Sequence, residues 1–151
     1  MKRCFFIGHR EANENIYQAL CDSIEEHIIE HDVKEFVVGQ YGNFDRLAAK
    51  ALIEAKQKHP HIRIVALMPY HPTEHNKPLP VGFDGSIYPE RLESVPRRYA
   101  IVRANRYMIN HSDYLIAYVT HPASNAYNLV EYARKIDKTS GIKIENIADI
   151  I

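Results

Sequence analysis

Two adjacent arginines, Arg97 and Arg98, follow Pro96, a residue type favoured at the first position of a helix. The helix macrodipole opposes positive charge in that turn by a few tenths of a kcal/mol or more. An anion would offset this, and a guanidinium can hold phosphate through two parallel hydrogen bonds. Glu90 and Glu93 are the alternative source of countercharge. A further arginine, Arg10, follows Gly8 and His9 directly after the apolar run at residues 3–7. A strand there would set His9 and Arg10 at its tip. His9 could touch a ligand, act as a base, or cap a neighbouring carbonyl.

The segment FVVGQYGNFDRLAAKAL, residues 36–52, passes from a β-branched and aromatic run through Gly39 and Gly42 into a helical repeat. Strand, glycine turn and helix N-terminus together bring backbone N–H groups to an anion. Asn43 is expected as the N-cap, with Asp45 in the first turn, where a carboxylate is favoured. The turn THPASNA, residues 120–126, repeats the arrangement. There Ser124 and Asn125 can cap the next helix or bind an anion, and Thr120 and His121 belong to the same lip.

Other chemistries find little support. The nine histidines include His59 and His61 around a proline, and His71 and His75 four apart, without a zinc-protease helix or paired cysteines. No metal site is expected. No nucleophile elbow is present, and no P-loop lysine follows the glycines, so no cofactor is expected either. Lys+Arg and Asp+Glu are equal at 19 each, so no global field draws nucleic acid or an anionic membrane. Cys4 and Cys21 fall in separate elements, which suits a reducing, cytoplasmic setting. The N-terminal apolar run ends at Ile7, too short for a signal peptide or a membrane span.

These residues must be positioned by alternating strands and helices. Strands are expected at 3–7, 35–38, 62–68, 113–119 and 142–147, and helices at 13–31, 43–58, from Pro96 onward, and at 127–137. In the first helix Ile16, Leu20, Ile24 and Ile28 share a face. The 151 residues suit one domain, a Rossmann-like doubly wound α/β sheet of five parallel strands in the order 3-2-1-4-5. The ends of the first and fourth strands then flank the topological switch point, where ligand crevices open. Residues 69–95, rich in proline and without periodicity, read as an ordered flap carrying Tyr70, Phe83 and Tyr88.

CFFIGHR, VVGQYGNFDRLAAKAL, the Arg97–Arg98 helix leading into SDYLIAYV, and HPASNAYNLVEYA together resemble the SLOG superfamily. That group includes the cytokinin-activating phosphoribohydrolases and the DNA-processing A proteins. The first two segments are most similar to small bacterial members of the YpsA type. The resemblance implies a nucleotide or nucleotide-derived ligand at the switch point, with Gly8, Arg10, Gly39, Gly42, Asp45, Arg98 and Ser124 at the site. It also implies a homo-oligomer, since relatives tend to dimerise. Departures from the family pattern are Gln40 in place of a glycine, a turn longer by Asn43, and PASNAYNLVE in place of a glycine-rich turn. Alignment with the related deoxyribosyltransferases puts Leu129 at the position of the nucleophilic carboxylate. Glu131, two residues on, is rotated by about 200°.

The favoured expectation is a binding protein that senses or sequesters an ADP-ribose-type signal. Its site would draw on Gly8, His9, Arg10, Gly39, Gly42, Asn43, Asp45, Arg97, Arg98, Thr120, Ser124 and Asn125. The alternative is an enzyme cleaving an N-glycosidic bond, with Arg98 and Glu131 in the leading roles. Binding of single-stranded nucleic acid is disfavoured by the charge balance.

Overall fold

In the computed structural model, residues 1–71 and 78–151 are described, the side chains of 137–140 excepted. Strand β1 (Lys2–Gly8) occupies the interior of the sheet. It pairs in parallel with β2 (Val33–Val38) on one side and with β5 (Tyr114–Tyr118) on the other. Beyond β2 lie β3 (Arg63–Leu67) and β4 (Gly85–Ile87), and beyond β5 lies β6 (Lys143–Asn146). All five pairings are parallel, and the order is β4-β3-β2-β1-β5-β6.

The five expected strands stand in the expected order. The correction is a sixth strand at the outer edge, drawn from the proline-rich stretch. Its three residues, Gly-Ser-Ile, are too few to show an alternating pattern, so its signal is tertiary. Asp84 anchors it: its Oδ2 accepts from the Ile64 amide at 2.8 Å and from Lys56 Nζ at 2.5 Å. The expected flap is therefore partly sheet. His75, and with it the His71–His75 spacing, lies outside the described residues.

Adjacent side chains of a strand face opposite layers, and here both layers are apolar. Phe6, Phe36 and Val38 face α1 (Tyr17–Ile29) and α2 (Asn43–Lys58), where they pack with Leu20, Ile24, Leu47 and Leu52. Phe5, Val37 and Leu115 face α3 (Ala100–Asn110) and α4 (Asn125–Ser140), packing with Ala104, Met108 and Val130. Each fully buried Phe, Leu or Ile contributes roughly 1.5–3 kcal/mol.

Helix starts differ from expectation at four points, one being α4, which begins at Asn125 rather than at 127. Asn13, not a helical residue, caps a 3-10 turn at Glu14–Ile16 that leads into α1. Gly42, at φ 108°, occupies the N-cap of α2, so Asn43 is already helical. Pro96 precedes a 3-10 turn at Arg97–Tyr99 rather than opening α3, which places both arginines before the helix proper. Among the described residues no helix is long and apolar enough to cross a membrane.

Candidate functional site

At the C-terminal ends of β1, β2 and β3 a crevice of about 200 Å³ opens between the sheet tips and the first turns of α3 and α4. Gly8, His9, Arg10 and Glu11 line it from β1, and Gly39, Tyr41 and Asp45 from β2 and the start of α2. Ser124, Asn125 and Ala126 line it from the start of α4, and Ile101, Val102 and Asn105 from α3. Here the chain divides: β1 continues through α1 towards β2, while β5 is reached from the opposite layer. A cleft at such a point is a recurrent consequence of doubly wound topology.

The glycines at this crevice are required by the protein itself. A Cβ on Gly8 would stand 2.3 Å from Cγ of Phe44, a fully buried ring. One on Gly39 would meet Asp45 Oδ2 at 2.8 Å. Gly42 has a positive φ, and a Cβ there would stand 2.7 Å from the Cα of Arg10. The turn after β2 is thus pressed against the tip of β1, and Asn43 N–H donates to the Arg10 carbonyl at 2.8 Å. The Asn43 side chain ties the same two segments by donating to the Ala12 carbonyl.

Asp45 turns its carboxylate back over the turn and accepts from the Tyr41 amide at 3.2 Å. Burial pushes its pKa up to about 7, against the opposing pull of that amide and of the Arg10 charge. Near neutral pH it therefore exists both as a hydrogen-bond donor and as an acceptor.

His9 is buried, and its ring stacks on His121 with centroids 4.1 Å apart. Burial, reinforced by the His121 charge, holds its pKa below the usual histidine value despite Glu11. Its Nε2 accepts from the Thr120 amide at 2.8 Å. The ring proton of neutral His9 then sits on Nδ1, which is 4.0 Å from Glu11 Oε1. His9, Glu11 and His121 offer potential metal-ligand atoms within 4.8 Å of one another. However, a neutral imidazole has a single in-plane lone pair. While Nε2 receives the Thr120 amide, Nδ1 keeps its proton and has none to give a metal.

At the start of α4, Ser124 Oγ accepts from Tyr127 N–H at 3.0 Å, so Ser124 acts as the N-cap. The amides of Asn125 and Ala126 precede the first intrahelical bonds and lie at the crevice wall. Arg10 lines the same crevice, without a carboxylate within ion-pair distance among the described residues. Helix amides and a guanidinium facing one cleft can jointly neutralise an anion.

Seven of the sequence-derived residues line this crevice: Gly8, His9, Arg10, Gly39, Asp45, Ser124 and Asn125. Gly42 and Asn43 shape it from behind through their contacts with Arg10 and Ala12. Arg97 sits over the Tyr70 ring at 4.6 Å, near enough to Tyr41 for its charge to act on that phenol. Arg98 stacks on Tyr99 at 4.9 Å and is not among the lining residues. Thr120 and Glu131 line a separate shallow depression, where Glu131 pairs with Arg134 at 3.3 Å. Tyr41, Glu11 and Asn105 line the crevice without having been singled out from sequence. Tyr41 lies within the glycine turn, so its position there was a usable signal. Asn105 had none, because its approach depends on how α3 crosses the sheet.

No protein-family model and no curated protein matches this chain. Among solved structures, the chain is similar to the X-ray structure of DNA processing protein A from Streptococcus pneumoniae, with a TM-score of 0.65 and 16% identity. The match covers 95% of this chain and 49% of that one, so the chain spans about half the length of this neighbour. At this identity the likeness establishes a shared fold, a parallel α/β sheet flanked by helices.

Proposed function

We propose that the crevice binds a nucleotide or nucleotide-derived anion, and that the chain is a SLOG-type binding domain akin to the small YpsA-type members. The supporting observation is that Arg10 and the first residues of α4, Asn125 and Ala126, line one cleft. Phosphate would lie between them. Asp45 would meet a ribose hydroxyl, as donor or acceptor, and Tyr41, with Tyr70 and Arg97 beside it, would flank the base. Sensing and sequestration both require only this reversible binding.

The carboxylate-driven glycosidase reading rests on Glu131 and Arg98, and neither lines the crevice. Binding is therefore the favoured reading. A thermal-shift panel of AMP, ADP-ribose and NAD tests it, since a ligand at a hundred times its Kd adds about 2.7 kcal/mol. At least one should raise the melting temperature of the wild type, with no free base released on prolonged incubation. Arg10→Ala should abolish the shift. An unchanged shift in that variant would remove Arg10 from the site, and release of base would replace binding with catalysis.

A further inference from the structure

On the outer side of α3, away from the crevice, Arg103 and Arg106 project one turn apart into two adjoining grooves of about 500 and 470 Å³. Arg91, from the segment facing the helix, lines both grooves as well. None of the three guanidiniums has a carboxylate within ion-pair distance among the described residues, although Glu90 lines one groove. Like charges at this spacing on a helix repel, and Arg91 adds a third charge to the same space.

Two further features hold this arrangement. Arg91 adopts a left-handed backbone, φ 66° and ψ 13°, which is disfavoured for a side chain of its kind. Arg106 lies over the Tyr132 ring at 5.1 Å, and Tyr132 donates its hydroxyl proton to Asn110 Oδ1 at 2.9 Å. This cation–π contact steadies the Arg106 guanidinium at the groove wall.

We infer that this groove is a second anion site, which takes a multiply charged oligophosphate through Arg91, Arg103 and Arg106. A tetrahedral phosphate presents oxygens in three directions and can engage guanidiniums from both walls, whereas a planar carboxylate fills one fork. The inference does not depend on the nucleotide reading, because the grooves and the crevice have only Val102 in common.

Titration calorimetry of the full chain with inorganic tripolyphosphate tests it, with citrate as the carboxylate comparison. Tripolyphosphate should bind, and citrate at least tenfold more weakly. Arg103→Gln and Arg106→Gln should each weaken binding by about tenfold, the loss of one charge-assisted contact. In the Arg10→Gln background, which removes the crevice arginine, tripolyphosphate should still bind, and Arg103→Gln and Arg106→Gln should bring the same losses. Both arginines are exposed on the helix surface, and without anion either glutamine variant should melt no lower than the wild type. The inference is overturned if tripolyphosphate fails to bind at millimolar concentration, if citrate binds equally, or if the double glutamine variant binds as the wild type does.

Discussion

The imidazole of His9 accepts the amide proton of Thr120, 2.8 Å away and 111 residues later in the chain. This bond joins the tip of β1 to the tip of β5 just past the last residues of their ladder, Gly8 and Tyr118. It also fixes which ring nitrogen carries the proton.

Replacing His9 with Leu leaves the partly buried Thr120 amide without its acceptor, at a cost of about 1–3 kcal/mol in urea unfolding. The pH profile should change as well. The folded protein disfavours protonated His9, so the unfolded chain binds more protons below the ordinary histidine value of about 6.5. This contribution is fully present above that pH and is lost as pH falls below it. The Leu variant should lack this acid-side loss. Micromolar zinc should leave the wild-type melting temperature unchanged, because Nδ1 is protonated.

Asp45 carries the opposite dependence. Its folded pKa of about 7 lies above the unfolded value, so between about pH 4 and 7 the native state holds the extra proton. Stability therefore falls as pH rises through that window. Asp45→Asn should flatten the decline and exceed the wild type above pH 8, by on the order of 2 kcal/mol. Denaturant melts at pH 5 and pH 8 measure the difference. Equal pH dependence in variant and wild type would show that Asp45 titrates normally.

A methyl group on Gly8 would intrude on the Phe44 ring. Gly8→Ala should destabilise the fold by about 1–3 kcal/mol, the usual cost of overpacking a filled core. Phe44→Leu alone should also destabilise, by opening a gap. Combined, the two should cost less than their sum, because the smaller side chain makes room for the methyl. Strict additivity in a double-mutant cycle would mean that the two positions do not press on each other.

Ser124→Ala removes the side-chain acceptor at the start of α4 and should lower stability by about 1 kcal/mol. Ser124→Gly should cost only a few tenths of a kcal/mol. Comparing the melting curves of the two separates loss of the cap from loss of bulk.

What could be read from sequence follows the range of the interactions involved. Apolar runs such as Cys4–Ile7 and Ile64–Leu67 identify buried strands, because both faces of a parallel sheet are covered. The strand order follows from the crossover rule and the alternation of elements. Glycine turns marked the strand tips, and topology brought the tips together. Gly85–Ile87 was not legible, because it is held by Asp84 through contacts with Lys56 and Ile64 distant in sequence. The arginine pair at 97–98 was legible as unusual, but its placement was not. A single 3-10 turn before α3 sends one guanidinium to Tyr70 and the other to Tyr99. The Arg91–Arg103–Arg106 cluster needs α3 and the preceding segment to face each other, a relationship that no local pattern encodes.

The last strand on the β4 side is three residues long, and its other flank is already bonded to β3. It leaves a visiting backbone very few amides and carbonyls with which to register, too few to template another strand. A second copy meeting the molecule on this side would therefore have to do so through side chains and helices, because the sheet stops there rather than inviting continuation.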